Sequence, residues 1–415
     1  MPHVPSSDAA RARAIKRHVW PARQRFVATC ALGVEPLLTD ELRTLDGVEA
    51  IVTRPGGALF EAPFDTLYAA LLRLRLAESL RVSLVTSAAA SSFPMLFDQL
   101  TRARWALWLP RRCALTVRVV SRASRLRDRE GLEHALRGAL RQHGLDPDAA
   151  EAAPMTLHLR LESDRASVSL DLGGALYRRS GDKWVSRTTI RETTAAALVT
   201  AALNHAADRA QARPDDAAAA RASAAPDLVF DPFCGSGTLL AEALELELGL
   251  APGRRRQPPF AASPAWRQER FRHALRQHAS VPDAAPRARH LGSDADAETI
   301  TIARRNLGAA GLAQHVQLEV ARAQALDFAA LKRAHAAERP LLLSNPPYGR
   351  AATAIGAPPD ELLRDVLSHA HGWRFALLFP DPDALARHAR IEVERRLPVV
   401  TGGLRIALVL GSVRG

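Results

Sequence analysis

Three short stretches of this 415-residue chain combine residue types that can do chemistry together. They are Asp231–Thr238 (DPFCGSGT), Ser293–Asp296 (SDAD) and Asn345–Tyr348 (NPPY). In the first, Gly235 and Gly237 allow a tight turn and a close approach of backbone to a ligand, and the helix that follows offers free N–H groups. Asp231 ends the preceding apolar stretch and suits a hydrogen bond from an ammonium or its water shell. A triphosphate-binding loop would need Gly-Lys-Ser/Thr, which is absent. A dinucleotide turn would want a third glycine. On the glycines alone, a plain strand-to-helix turn remains open. Asp294, at the end of the next apolar stretch, favours a ligand: a carboxylate there suits the two hydroxyls of a ribose. Asp296 reads as the N-cap of the following helix.

The third stretch follows Leu341-Leu342-Leu343. Its prolines end the strand and keep the Pro346 carbonyl out of any helical ladder. Asn345 supplies a second acceptor, and two acceptors suit a planar amino group, which is a double donor. Tyr348 adds an aromatic face for stacking a base. A ligand-free loop is the alternative. Cys234 reads as packing, and the histidines show no metal-ligand spacing.

These stretches need a frame that puts strand ends side by side. From Asp227 onward, short apolar segments (LVFDPF, HLGSDAD, VQLEV, LLLSNPP, FALLFP) alternate with helical patterns. Such alternation means a mostly parallel sheet covered on both faces. VVTGGLRIALVLGSV closes the chain as two strands with no helix between them. Position 208–226, rich in Ala, Asp and Pro, reads as a loose connection. Upstream, RFVATCALG, VEPLLTDELRTL, VEAIVTRPGGALFEA, DTLYAALLRLRLAESL and RVSLVTSAAA give a β-α-β-β-α-β order, ferredoxin-like, with Asp65 as an expected N-cap. Residues 91–177 add helix, strand, a helix stopped by Gly144, and a hairpin. Residues 1–24, with Arg11, Arg13, Lys16, Arg17 and Arg23 and little apolar periodicity, are expected to be a mobile basic tail. The expected domains are thus 1–24 tail, 25–90 ferredoxin-like, 91–177 a further α+β module and 178–415 the Rossmann-like α/β domain.

The formal net charge is +12 and the pI about 10.8, which makes nucleic acid the leading partner class. The three cysteines are far apart, so a disulfide framework and a structural zinc are both disfavoured and a reducing cytoplasm is expected. No apolar run approaches the ~20 residues needed to span a bilayer.

DPFCGSGT, GSDAD and NPPYG together resemble class I methyltransferases that act on amino groups. FVATCALGVEPLLTDEL, LYRRSGDKW before IRETTAAAL, and GLAPGRRRQPPF narrow the likeness to THUMP-containing RNA methyltransferases. Bacterial enzymes that make N2-methylguanosine in large-subunit ribosomal RNA are the nearest kind. The resemblance covers about residues 25–412 and makes 91–177 the THUMP, RNA-binding part. It implies a seven-stranded Rossmann-like catalytic sheet and S-adenosylmethionine as cofactor. Asp231, Phe233, Gly235 and Gly237 would line its methionine end, and Asp294 would hold its ribose. Asn345, Pro346 and Tyr348 would hold the target base of an RNA, ribosomal or, alternatively, transfer RNA. The rival readings are a DNA adenine methylase, which the long N-terminal region disfavours, and a non-catalytic RNA-binding or assembly protein. Two departures stand out. The family's acid after the third strand is replaced by VARAQALDF, with Arg322 or Gln324 near that place and Asp327 further on. Its RGYR-like stretch is altered to RRSGDKW.

Overall fold

A computed structural model describes residues 7–179, 183–184, 190–209, 224–278, 285–348 and 358–415. The chain divides into two compact units. One comprises 1–30, 38–176 and 253–279; the other comprises 31–37, 177–252 and 280–415.

The first unit is built on one seven-stranded sheet. Its strands are β1 (Arg23–Thr29), β2 (Glu49–Arg54), β3 (Gly57–Pro63), β4 (Ser79–Ala89), β5 (Ala114–Arg122), β6 (Pro154–Glu162) and β7 (Arg165–Asp171). Their order is β2-β3-β1-β4-β7-β6-β5. The first four, with helices Glu35–Arg43 and Thr66–Arg73, form the ferredoxin-like β-α-β-β-α-β arrangement, and the β1 pairings are antiparallel. The expected subdomains 25–90 and 91–177 therefore share a sheet, joined where β4 pairs with β7. Alternation explains its two faces: Met155, Leu157, Leu159 and Leu161 of β6, and Ala166, Val168 and Leu170 of β7, all point to the buried side. Helices Phe93–Thr101 and Arg129–Gln142 pack against β4 and β5. The latter ends at Gly144, whose φ is +71°.

Two expectations about this unit are corrected. Residues 8–18 are a helix, not a mobile tail. The Ser7 hydroxyl accepts from the Ala10 N–H at its start, Lys16, Arg17 and His18 sit favourably in its last turn, and Ile15 and Val19 are buried. Two apolar residues four apart suffice to dock a short helix, a weak periodic signal among so many charges. Asp65 stands at the N-cap position of Thr66–Arg73 without making a cap bond. Its carboxylate instead takes both oxygens to Arg267, 3.0 Å each, a charge-assisted pairing that outcompetes a backbone N–H. That arginine belongs to 253–279, a segment far along the chain. Phe260, Trp266 and Phe271 complete an aromatic cluster with Phe64, Tyr68 and Trp108, ring centroids 4.9–6.5 Å apart, and the Tyr68 hydroxyl accepts from the Arg267 N–H at 2.9 Å.

The second unit holds β8 (Leu228–Asp231), β9 (Arg289–Asp294), β10 (Val316–Val320), β11 (Pro340–Ser344), β12 (Arg374–Phe379), β13 (Ile391–Thr401) and β14 (Leu404–Val413). The order is β10-β9-β8-β11-β12-β14-β13. All pairings are parallel except those of β14, which runs antiparallel between β12 and β13. Every residue of β8 and β11 is buried, as a sheet covered on both faces requires. Phe230, Phe328 and Trp373 meet edge-on in its core at 5.4–6.3 Å. Strand succession reverses at β8, which lies between β9 and β11. Open α/β sheets bind ligands at such a switch point, beyond the carboxyl ends of the strands. Of the expected loose connection at 208–226, residues 210–223 lie outside the described residues.

Candidate functional site

Asp231, Asp294 and Asn345 end, or directly follow, three adjacent parallel strands. Asp231 is fully buried. It accepts from the Ser344 hydroxyl at 2.6 Å and from the Phe233 N–H at 3.1 Å. Burial drives its carboxyl up to about 7, against the pull of those two hydrogen bonds; the nearby Asp294 charge adds to the rise. Asp294 accepts from the Gly235 N–H (3.1 Å) and the Asp296 N–H (3.1 Å). Desolvation raises it as well. One carboxylate thus holds the glycine turn and the other holds the base of the Asn-Pro-Pro-Tyr stretch. Asp296 caps helix Ala297–Ala310, accepting from the Glu298 and Thr299 N–H groups.

The turn itself needs its glycines for conformation. Gly235 has φ +53° and Gly237 φ +79°, where side chains are strained. A Cβ at Gly237 would meet Ala303 and Leu307 at 3.5–3.6 Å, in ordinary contact with the helix Ala297–Ala310. Close approach is the task of another glycine, Gly292 in β9. A Cβ at that position would lie 2.6 Å from Leu240, 2.8 Å from Leu318 and 3.1 Å from Cys234. Cys234 is buried, and desolvation together with Asp231 and Asp294 pushes its thiol well above its usual range, so it packs and is not a thiolate at neutral pH.

On the acceptor side, Asn345, Pro346 and Tyr348 follow β11 without helix or sheet pairing. Asn345 is half-buried, yet its Oδ1 is fully buried with no hydrogen-bond partner among the described residues. Buried acceptors are almost always paired, with protein or with ordered water. Tyr348 is half-buried, and desolvation raises its hydroxyl above 10, leaving a neutral ring. Past β10, Arg322 and Gln324 are exposed. Asp327 caps helix Phe328–Ala334 through the Ala330 N–H at 2.8 Å, so it serves the helix in place of an acid at the strand end.

Several further residues are joined to the site. Ser344 bridges β11 to Asp231. Asn306 accepts from the Trp184 N–H (3.0 Å) and donates to the Trp184 carbonyl (2.9 Å) and to the Ser236 carbonyl in the glycine turn (3.0 Å). Lys183 donates to Thr238, the first residue of helix Thr238–Glu247. Both Lys183 and Trp184 lie in the altered RRSGDKW stretch; its residues 180–182 lie outside the described residues.

A sheet of this order, with a reversed seventh strand, a glycine turn after its first parallel strand and an acid after its second, is the class I methyltransferase fold. Comparison with known proteins makes this more particular. Residues 219–404 match the family described as RMKL-like, methyltransferase domain, and residues 25–81 match the RlmL ferredoxin-like domain. The chain therefore carries an RlmL-type ferredoxin-like domain followed by an RMKL-like methyltransferase domain. It is 31% identical over 412 residues to the ribosomal RNA large subunit methyltransferase K/L of Syntrophotalea carbinolica, covering 93% of this chain and 53% of that protein. With its counterpart from Methylococcus capsulatus it shares 30% over 414 residues, 95% of this chain and 52% of that protein. The chain spans about half the length of the curated relatives it matches. Among solved structures, SMU.472 complexed with SAH superposes with a TM-score of 0.76 at 22% identity, covering 95% of this chain and 98% of the other. TrmN from Thermus thermophilus gives 0.62 at 20%, covering 94% and 100%. At these identities the structures show the shared fold.

Proposed function

We propose that the chain transfers a methyl group from S-adenosylmethionine to the exocyclic N2 of a guanosine in RNA, with large-subunit ribosomal RNA as substrate. The observation that carries this reading is the buried Asn345 Oδ1, which has no partner among the described residues. It stands one residue from Ser344, whose hydroxyl binds the Asp231 carboxylate of the glycine turn. An acceptor waiting for an amino donor is thus tied to a turn suited to a nucleoside bearing an amino acid.

The residues present fit that cofactor. The buried Asp231 suits the ammonium of its methionine part, and a cation there would hold the carboxyl ionised despite its burial. Asp294, already aligned by the Gly235 and Asp296 amides, suits the ribose hydroxyls. When bound, S-adenosylmethionine supplies a sulfonium methyl that reacts with a nitrogen lone pair without metal or covalent enzyme chemistry. The chain's work is positioning. Asn345 Oδ1 and the Pro346 carbonyl accept the two N–H bonds of the guanine amino group, which turns the lone pair outward and raises its density. The Tyr348 ring stacks on the base. Preorganised acceptors of this kind are each worth roughly 10²–10³ in rate when removed.

The remaining assignments belong to the same proposal. The N-terminal unit captures RNA, the second unit performs the chemistry, and both work in the cytoplasm. The chain's charge of +12 supports the first of these. Purified protein given S-adenosylmethionine and unmodified ribosomal RNA, followed by mass spectrometry of the released nucleosides, tests the reading. N2-methylguanosine in the large-subunit RNA is the expected product. Its appearance in transfer RNA alone would redirect the substrate, N6-methyladenosine would overturn the acceptor, and no methylated product despite cofactor binding would favour an assembly role.

A further inference from the structure

Helix Asp8–His18 lies ahead of the residues that either family model matches, which begin at 25 and 219. One narrow face holds it in the first unit. Ile15 and Val19 are buried, and so is Arg11, whose guanidinium donates to the carbonyls of Ala106 and Leu109. Trp20, just past the helix, donates its Nε1–H to the Ala265 carbonyl at 2.9 Å and has the Arg267 guanidinium 4.7 Å from its ring centre. Burying Arg11 is costly, since desolvation and the neighbouring Arg111 both oppose its charge. The protein thus spends a buried cation on fixing this helix.

The solvent side of the helix is basic. Arg13, Lys16, Arg17 and His18 are exposed. Among the described residues Arg13, Lys16 and Arg17 make no hydrogen bond or ion pair through their side chains. The helix's one carboxylate, Asp8, faces Arg111 at 3.3 Å, and residues 1–7 contain no other. Arg13 has Lys16 and Arg17 three and four positions on, where like charges repel. Elsewhere in the unit exposed arginines are answered: Arg25 by Glu61 at 2.9 Å, Arg43 by Asp40 at 2.6 Å. An unanswered basic ridge works against stability, and a polyanion would relieve it. The helix carries no Phe, Tyr or Trp, so it offers no ring for stacking a base. Its apolar residues already face the protein, so none is left to enter a lipid surface. What remains is a match of point charges to phosphates.

We propose that helix Asp8–His18 is an RNA-backbone anchor, with Arg13, Lys16 and Arg17 contacting phosphates of the substrate RNA without reading its sequence. This rests on the RNA reading given above and names one surface that performs the capture. The anchor raises RNA affinity and leaves cofactor binding to the second unit.

The test is titration of the full chain with unmodified large-subunit ribosomal RNA, and with a mixed-sequence RNA duplex, at roughly 50–200 mM salt. Arg13→Gln/Lys16→Gln/Arg17→Gln keeps good helix formers in place. Each lost phosphate contact flattens the log–log salt slope by about 1, so the triple variant should be flatter by about 2–3 and bind roughly ten- to a hundredfold more weakly at the lower salt. Both RNAs should show the same change. Arg13→Lys/Arg17→Lys should keep the wild-type slope, because a phosphate needs only the charge. A control, Arg25→Gln/Arg43→Gln/Arg414→Gln, removes as much charge from arginines paired with Glu61, Asp40 and Glu392, and should move the slope little. Affinity for S-adenosylhomocysteine should be the same in all variants, and the triple variant should unfold at or above the wild-type temperature. A triple variant with the wild-type slope, or a control that loses as much, overturns the anchor while the RNA reading stands. Wild-type RNA binding in the triple variant with lost binding to phosphatidylserine vesicles would assign the ridge to a lipid surface and overturns it equally. Failure of the wild type to bind ribosomal RNA overturns both.

Discussion

Replacing Asp231 by Asn should make the protein more stable and its cofactor site worse. The carboxyl ionises at about 7 in the fold against 3.8 in an unfolded chain. Keeping it charged above pH 8 therefore costs about 4 kcal/mol, at 1.36 kcal/mol per pH unit of displacement. The amide retains the acceptor for the Ser344 hydroxyl and the Phe233 N–H. Its new NH2 group must be buried in place of the second carboxylate oxygen, at a cost of ~1–3 kcal/mol if it finds no acceptor. The net gain is about 1–3 kcal/mol, or several degrees in Tm at roughly 2–4 °C per kcal/mol for a domain of this size. The sign fixes the pH window. Between about 4 and 7 the folded wild type holds a proton that the unfolded chain has released, so its stability falls as pH rises through that range and levels off above it. The advantage of Asp231→Asn should thus be full at pH 8 and shrink toward pH 4. Thermal unfolding of both proteins across pH 4–8.5 measures it, and calorimetry with S-adenosylhomocysteine should show affinity lower by about tenfold or more, since a neutral amide cannot balance an ammonium. Equal or lower stability of the variant at pH 8 would refute the claim that a desolvated carboxylate is held there for a ligand.

Asn345→Ala should slow single-turnover methylation by roughly 10²–10³ with cofactor affinity nearly unchanged; a wild-type rate would reduce the Asn-Pro-Pro-Tyr stretch to a strand-ending loop. Tyr348→Ala should lose about 1–3 kcal/mol of base stacking while Tyr348→Phe keeps most of it, a contrast read by RNA affinity in competition binding. Asp294→Ala removes both the expected ribose acceptor and the bonds to the Gly235 and Asp296 amides, so S-adenosylhomocysteine affinity should fall tenfold or more; an unchanged titration curve in the folded variant would contradict this. A fragment starting at residue 178 should aggregate or bind a hydrophobic dye, because Phe260, Trp266 and Phe271 lose Phe64, Tyr68 and Trp108; a fragment that stays monomeric with a sharp unfolding transition would show that 253–279 does not need those partners.

The sequence by itself determined the succession of strands in both units and the two acids at strand ends. Buried parallel strands must be short apolar runs, and a turn with positive φ at Gly235 and Gly237 must be glycine. These are local requirements, written in consecutive residues. The N-cap at Asp296 and the helix stop at Gly144 belong to the same class. Whatever depends on partners far apart in sequence was decided by the tertiary structure alone. Ser344 is an unremarkable strand residue until β8 and β11 pair and bring its hydroxyl to Asp231. Asn306, on the exposed side of a helix pattern, becomes a clamp only when residues 183–184 lie beside the glycine turn. Asp65 has the type and position of a cap but meets Arg267, 202 positions away, and the bidentate ion pair wins. Likewise Ile15 and Val19 turn an arginine-rich leader into a docked helix, because burial of two side chains outweighs a composition that reads as solvated. The desolvation that lifts Asp231 to about 7 and the unpaired acceptor of Asn345 are likewise properties of the packed site, since burial is a sum over neighbours that no stretch of consecutive residues contains.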